Sequence, residues 1–317
     1  MAVDTALLTR QRTLAAKIET TTGTAIALAA ADGAINVFGS SLESAIKMVE
    51  REPQGTFTPL APIPGASEAT SKFKTEMTVQ GGVSDPFWMT VLLKACGFAV
   101  NATIWKPLTG AGTTLTMGLY QSGQLLQMAG AVGKFTMNFE SGKPVMIDWD
   151  FQGVWQSPTG VALITPTYPA ATLVPRFAGA TLTLGGLALR VGKMSITVEN
   201  SIAMREDATA LDPGGYGTGI HSYQITGRKI TTKISPEALP LATKDWWADH
   251  RAVTGAALAM VIGGSTAFNN IHIGAPALVH LDAPGVEDDN GIYRNSLNFL
   301  NLGSMGDDEL TIQQPAV

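Results

Sequence analysis

The sequence contains one cysteine and four histidines among its 317 residues. A single cysteine, Cys96, excludes an internal disulfide framework and a zinc site built from several cysteines. The histidines form no His-x-His or HExxH pattern, so their spacing offers no set of metal ligands. Cys96 lies in an apolar segment and is predicted to be a small buried side chain rather than a reactive nucleophile.

Charged residues are also scarce, at 15% of the chain, whereas hydrophobic residues make up 45%. Soluble domains carry about 25% charged residues, so this chain has little charge with which to cover a wide exposed surface. That balance favours a protein that buries surface against copies of itself. The net charge is −5, and no Lys/Arg cluster forms the basic stripe that a generic nucleic-acid clamp needs.

No long apolar run is present. The longest, residues 25–31 and 256–262, are far shorter than the ~18 residues of a membrane span. The N-terminal residues lack the apolar core of a signal peptide. The sequence therefore predicts no membrane partner and no secretory export.

Motifs for catalysis are missing as well. Gly192-Lys193 is followed by Met194, which excludes a phosphate-binding loop of the Walker A type. Residues 286–291 faintly resemble a calcium loop, but Val286 would then take the first ligand position, so an acidic hairpin tip is the preferred interpretation. Asp148 and Asp150 could form an acid/base pair, although an exposed polar strand face explains them more simply. We predict no catalytic, cofactor-binding or metal-binding residues, no cofactor and no enzymatic activity.

Apolar and polar residues alternate with a period of two, which is typical of strands with one buried face. Examples are residues 72–79, 134–140, 147–151, 194–199 and 229–231. Gly, Pro, Ser and Asn clusters separate these segments, which predicts mainly antiparallel β structure, in sandwiches or barrels. Two segments read instead as short helices with an aromatic face, 86–96 after the N-cap candidate Ser84-Asp85, and 241–253 with Thr243 as a possible N-cap.

The order of these segments repeats along the chain. Met48, Lys72 and Asp85 in the first half are followed at a nearly constant offset by Met204, Arg228 and Asp245. Chance similarity of two β-rich halves is the alternative. The resulting division predicts an N-terminal arm at 1–40, a first β domain at 41–157, a Pro-rich linker at 158–178, a second β domain at 179–303 and a C-terminal tail at 304–317.

Several short segments, taken in order, carry a resemblance to a known family. They are residues 14–24, 85–98 with the piece LLKACGF, 151–154, 166–169, 180–186, 227–229 and 242–247. With them the chain resembles the bacteriophage tail tube proteins (major tail proteins) of long, non-contractile, siphophage-type tails. The loop at 59–64 and the tail after Gly303 have no match in this resemblance.

The resemblance implies a β-sandwich or barrel with a flanking helix, whose copies form rings that stack into a hollow tube. It implies a virion protein, assembled in the host cytoplasm, with itself, a tape-measure protein and the terminator and distal tail proteins as partners. Genomic DNA would pass through the lumen without specific binding. Two tube domains in one chain would give a trimeric ring with pseudo-sixfold symmetry.

Other interpretations stay open. One is a hexameric ring in which one domain is a decoration; another is the tube of a tail-like bacteriocin or gene-transfer particle. A β-rich enzyme or binding module is the third, although only Trp105 and Trp155 are predicted to lie in loops where they could form an aromatic platform. For a tube, we expect a neutral or acidic wall. Ring-to-ring contacts are expected from residues 1–39, which lack a core of their own, and from the loops 53–68 and 208–220, unless these are ordinary mobile loops.

Overall fold

A computed structural model describes residues 11–80, 85–110, 112–168, 172–263 and 269–314 of the chain. Strands dominate these residues, as the alternating sequence pattern predicts. In chain order they are β1 (Arg12–Ile18), β2 (Val37–Ser44), β3 (Met48–Arg51), β4 (Leu60–Pro64), β5 (Glu68–Glu76), β6 (Val79–Gln80), β7 (Phe98–Asn101), β8 (Ile104–Pro107), β9 (Leu115–Gln121), β10 (Gln124–Glu140), β11 (Met146–Gly160), β12 (Thr172–Leu173), β13 (Thr181–Leu184), β14 (Leu187–Ala188), β15 (Val191–Glu206), β16 (Ile220–Pro236), β17 (Ala256–Gly263), β18 (Asn270–His280), β19 (Gly285–Asp289), β20 (Ile292–Leu302) and β21 (Thr311–Gln313). The helical segments are a 3₁₀ turn (Ala30–Gly33), a π-helix (Trp88–Leu93) and the α-helix α1 (Trp246–Ala252).

The strands pair antiparallel, and the alternation of the sequence becomes alternation of burial. In β10, Phe135, Met137 and Phe139 are buried, while the intervening Lys134 and Thr136 are only partly covered. In β11, Ile147, Trp149 and Phe151 are likewise buried at every second position. The mainly β, antiparallel fold predicted from this period is confirmed.

The first half of the chain forms a sheet in the order β1-β9-β10-β11-β5-β2. The second half forms a sheet in the order β13-β17-β18-β20-β16-β15. The two orders match position by position: β1, β9, β10, β11, β5 and β2 of the first half correspond to β13, β17, β18, β20, β16 and β15 of the second. The π-helix lies between β5 and β9, and α1 lies at the same place between β16 and β17.

Within the described residues, strands of the two halves pair in two places. The second part of β10 pairs with β15, so the first sheet continues directly into the second. On the other layer, β21 pairs with both β18 and β8, and thereby connects the C-terminal segment to both halves. Asn200 Nδ2 in β15 also donates hydrogen bonds to the carbonyl oxygens of Cys96 (2.9 Å) and Gly133 (2.7 Å) in the first half. One hydrophobic cluster runs through both halves.

The ends of the chain are packed more closely than the sequence predicts. Leu14 and Ala16 of β1 are buried, so the expectation that residues 1–39 lack a core is wrong for this strand. Leu310 and Ile312 are fully buried, and residues 311–313 of the segment predicted as a C-terminal tail form a strand of the sheet. The first ten residues and residues 315–317 lie outside the described part of the chain.

Two helix caps and two tryptophans also differ from prediction. The side chain of Asp245, not Thr243, caps α1 by accepting hydrogen bonds from the backbone N–H groups of Trp247 (3.0 Å) and Ala248 (2.9 Å). Asp85 accepts a hydrogen bond from Trp105 Nε1 (2.7 Å), and Ser84 lies outside the described residues. Trp105 is buried in β8, and Trp155 pairs with Met128 inside β11, so neither tryptophan lies in a loop as predicted.

Candidate assembly surfaces

A concave polar face runs across the sheet from β2 through β5, β11 and β10 to β15. It contains a groove of about 690 Å³, lined by side chains and backbone of these five strands. The opposite face of the same strands is buried in the core, so the polar face is the one left exposed.

The charges on the concave face are paired across neighbouring strands. The register of β5 with β11 sets Lys72 opposite Asp150 and Lys74 opposite Asp148. Their ion pairs measure 3.8 and 3.2 Å, and Lys134 pairs with Glu199 at 3.8 Å across β10 and β15. Each lysine thus has a carboxylate beside it, which leaves this part of the face nearly neutral. Each aspartate is directly opposite a lysine, as an exposed polar strand face requires.

The junction of β10 with β15, here called the seam, is an ordinary antiparallel strand pairing. Phe135 lies opposite Val198 and Phe139 opposite Met194. The hydroxyl of Thr136 donates to that of Thr197 at 3.2 Å on the polar face. The two halves are therefore joined by addition of one half's edge strand to the other half's sheet.

Two strand edges on the same layer have no such neighbour. Within the described residues, β2 pairs only with β5, and β19 pairs only with β20. Strand β2 occupies in the first half the position that β15 occupies in the second. Strands β18 and β19 together follow the path that β10 takes in the first half. On one side the sheet therefore ends in β2, which corresponds to β15 of the seam. On the other side it ends in β19, which corresponds to the part of β10 that pairs with β15 in the seam.

A hairpin formed by β3 and β4, residues 48–64, projects from the body of the chain. Both strands are exposed along their whole length. Met48, Val49 and Ile63 are each about half exposed, and Phe57 at the hairpin loop is fully exposed. At its base, Gly65 N donates to Lys47 O (2.9 Å), which extends the pairing of the two hairpin strands.

The matching connection in the second half, between β15 and β16, is closed instead of projecting. Asp212 lies at its centre and accepts hydrogen bonds from Tyr216 N (2.9 Å) and from the hydroxyl of Ser157. Burial raises the pKa of Asp212, but the hydrogen bonds from Ser157, Tyr216 and Gly214 outweigh it, so the pKa is lowered overall. Thr218 O accepts from Ser67 N (2.9 Å), which fixes this loop to the base of the projecting hairpin.

The opposite end of the sheet carries the turns of the β10–β11 and β19–β20 hairpins. At the second turn, Val286, Ile292 and Tyr293 expose about half of their side-chain surface, and Leu241 is exposed next to them. Ala238 N donates to Tyr293 O (3.0 Å), which holds the Leu241 segment against this hairpin. At the first turn, residues 141–144 are polar or proline and are bonded to the segment around Phe177.

The strand order, the seam and the free edges describe a subunit built for assembly, and the family comparison agrees. A family model described as Phage tail tube protein matches residues 9–300. The chain belongs to this family. It is a structural subunit of a phage tail tube and a component of the virion, which assembles with copies of itself and functions with other tail proteins. Among curated proteins, no significant match to the chain is found.

Several sequence predictions can be placed on the tail tube subunit. Cys96 is buried, and this burial raises the pKa of its thiol well above the ordinary value. The acidic segment is a hairpin tip, as preferred from the sequence, with Asn290 and Gly291 at positive φ in its turn. Burial lowers the pKa of His280, which contacts the ring of Phe299 at a centroid distance of 4.4 Å.

The structure also contains features that the sequence did not single out. Glu19, Asn200 and Asp212 each organise a loop or junction through hydrogen bonds. Several of their partners lie far away in the chain, among them Thr114 for Glu19, Gly133 for Asn200 and Ser157 for Asp212, so no local pattern points to them. Among the described residues, no cluster of His, Cys, Asp and Glu is arranged to hold a metal ion. No helix in the described ranges is long and apolar enough to cross a membrane.

Proposed function

We propose that three copies of this chain close into a ring with pseudo-sixfold symmetry, and that rings stack into the tube of a long, non-contractile tail. The observation that carries the proposal is the seam. The seam joins two halves with the same strand order. The sheet of each chain has a free edge on either side, at β2 and at β19, and these two edges correspond to the two strands of the seam. The division into two tube domains, 41–157 and 179–303, is part of this proposal.

The internal seam provides a template for the joint between copies. Trp149 Nε1 donates to Thr75 Oγ1 (2.8 Å), and Thr232 Oγ1 donates to Asn301 Oδ1 (2.7 Å). The two bonds occupy equivalent positions in the two halves, so Thr75 of the first half corresponds to Thr232 of the second. Val37, the partner of Thr75, then corresponds to Ile196, the partner of Thr232.

The same matching gives the register between copies. In the seam, Ile196 lies opposite Met137 of β10. Met137 pairs with Ile147 in the first half, and the corresponding pair in the second half is His280 with Phe299. Val37 of one copy would therefore lie opposite His280 of the next, with Phe38 and Val279 side by side on the polar face. Each joint would remove two free edges, which is how a closed barrel avoids exposed strand borders.

In such a ring the concave polar face turns to the lumen. Its paired lysines and carboxylates would give phosphates no unbalanced cation to bind. Genomic DNA would pass without being held, and during assembly the lumen would enclose the tape-measure protein. The terminator and distal tail proteins would close the two tube ends, and assembly would take place in the host cytoplasm.

The alternatives differ in ring composition or in particle. A hexamer with one half as decoration is disfavoured, because both halves contribute strands to one continuous sheet. A tail-like bacteriocin or a gene-transfer particle would use the same ring. An enzyme or binding module has no residue cluster in its favour among the described residues.

A cysteine pair placed across the proposed joint tests the ring. Phe38→Cys with Val279→Cys should form disulfides between copies, because opposite residues of an antiparallel pair have Cβ atoms about 4.5–5.5 Å apart. On a denaturing gel without reductant, the ladder should end at three chains of 33.2 kDa. A ladder that continues to six chains would favour the hexamer, and either single variant should give no ladder above a dimer.

A further inference from the structure

A cluster of buried nitrogen atoms lies where α1 packs against β18. His280 of β18 is 8% exposed, and neither of its ring nitrogens has a hydrogen-bond partner among the described residues. The same is true of Nδ1 of His250 and Nε1 of Trp246, whose ring centroids lie 6.1 and 6.0 Å from that of His280. Because buried polar side-chain atoms are mostly hydrogen-bonded, a cluster of this kind needs a physical explanation.

The surroundings of His280 suit the neutral imidazole and not the charged imidazolium. Charging the ring turns both nitrogens into donors, and no acceptor among the described residues is placed to receive either of them. Titratable groups act on it from α1 and the segment before it, namely Lys244, Asp249 and His250, whereas β20 presents the uncharged ring of Phe299 at 4.4 Å. The carboxylate of Asp249 is already paired with Lys244 at 2.5 Å. Burial, together with His250 and Lys244, therefore outweighs Asp249 and lowers the pKa of His280 from its ordinary value of 6.5.

The first half has a methionine at the matching place. The correspondence of the two halves sets Met137 where the second half has His280, and Met137 lies fully buried in the seam opposite Ile196. His280 stands instead beside a free edge, where its strand partner within the described residues is Phe299 on one side only. In the proposed ring, Val37 of the next copy would lie on its other side. The seam inside each chain thus lacks the histidine that the joint between chains contains.

This position makes protonation of His280 and closure of the joint compete. In a separate chain no strand covers the edge, so a displacement of the edge alone brings a charged ring into water. In the ring, β2 of the next copy would cover the edge, and the same displacement would break the backbone hydrogen bonds of the joint. The proton therefore binds more tightly to the separate chain, and by linkage acid favours separation.

We propose that the joint between copies is acid-labile and that the internal seam is not, so that acid separates rings into folded single chains. This inference rests on the proposed trimeric ring. A displaced edge returns His280 towards its ordinary pKa of 6.5, whereas a covered edge keeps its pKa lowered. The joint is therefore at full strength above 6.5, and below it the association constant falls by up to about tenfold per pH unit for each joint.

The first test replaces the histidine by the residue that the seam uses. His280→Met should give rings at about pH 7.5 that persist at about pH 5, whereas wild-type rings should separate at the lower pH. The matched control is His272→Met, the same change at a partly covered position of the same strand, which should behave as the wild type. Sedimentation velocity measures the fraction of chains in rings, and near-ultraviolet circular dichroism shows whether separated chains stay folded. Wild-type rings that persist in acid, or that separate only as the chains unfold, would overturn the inference.

A second test keeps the histidine and locks the joint. Rings closed by the disulfide of Phe38→Cys with Val279→Cys should remain rings at about pH 5, and should separate there once a phosphine reductant cleaves the disulfide. Persistence after reduction would refute acid lability, and unfolding of the locked rings in acid would place the effect outside the joint. If the wild type formed no ring even at about pH 7.5, the proposed function itself would fail, which distinguishes the two failures.

Discussion

Glu19 illustrates how single residues hold the N-terminal strand of this protein in place. Its carboxylate accepts hydrogen bonds from Thr114 Oγ1 (2.6 Å), Thr116 Oγ1 (2.9 Å), Gly23 N (2.8 Å) and Gly130 N (2.7 Å). The last donor, Gly130, lies in a bulge of β10, where the register with β11 shifts between Ala129 and Val132. One side chain therefore connects the chain after β1 to two strands of the sheet.

Replacing this residue should be costly. Glu19→Ala leaves two backbone donors and two buried threonine hydroxyls without an acceptor, and we expect a loss of about 3 kcal/mol in the free energy of unfolding. Urea denaturation of the unassembled chain, followed by tryptophan fluorescence, would measure it. Glu206→Ala, at an exposed strand end, is the control and should change stability by less than about 0.5 kcal/mol. Equal effects of the two substitutions would contradict the assigned role.

At the scale of secondary structure elements, the helix α1 shows a local device that can be tested by itself. The Asp245 side chain caps its first turn, and Val253 ends it in the left-handed region at φ 53°. Trp246 is buried by this helix, so the cap also fixes an aromatic anchor of the second half. The cap and the anchor are adjacent in sequence.

Removing the cap should destabilise the second half. Asp245→Ala is expected to cost about 1 kcal/mol, because two backbone N–H groups lose their acceptor. Asp245→Asn keeps an oxygen acceptor at the same place and should retain most of the stability. Thermal unfolding of the two variants side by side gives the difference, and indistinguishable melting temperatures would argue against the cap.

The sequence predicts elements of this kind well and their long-range partners poorly. Alternation alone identified the buried face of β10 and β11, because one side of each strand meets the core. The cap of α1 was misplaced at Thr243, since Thr243 and Asp245 are both suitable cap residues and only the backbone decides. The role of β21 was missed: its three residues pair with strands far away in the chain, and no local signal reports that.

For the assembly surfaces, the order of segments is predictable from the sequence, whereas the free strand edges are not. The repeated order of Met48 and Met204 segments suggested two equivalent halves. Strand registers decide which strands remain unpaired. Contacts such as that of Ser157 with Asp212 decide that one connecting loop closes while the other projects. These contacts span tens of residues, so periodicity carries no information about them.

At the scale of the whole molecule, the paired charges of the concave face set how the proposed lumen treats a polyanion. Asp148 and Asp150 stand beside Lys74 and Lys72 in the groove. These ion pairs lie on the polar face, so removing their carboxylates leaves the core on the opposite face unchanged.

Neutralising the two aspartates should make the tube retain DNA. Asp148→Asn with Asp150→Asn leaves Lys72 and Lys74 without partners, and tubes of this variant should bind a short duplex at about 50 mM salt and release it by about 200 mM. Wild-type tubes should bind none under the same conditions. The control, Glu206→Gln with Glu237→Gln, changes the net charge equally outside the groove. Equal retention by variant and control would reject the assignment of this face to the lumen.

The seam between β10 and β15 has a kinetic consequence. Because it forms within one polypeptide, half of the joints in the proposed pseudo-sixfold ring would be made at synthesis, at high effective concentration. In the proposed trimeric ring, two encounters between chains would then be enough, because the third joint closes within the trimer. Fewer partial rings with exposed strand edges would accumulate and aggregate. Carrying both halves in one polypeptide would in this way favour closed rings over aggregates of partial rings.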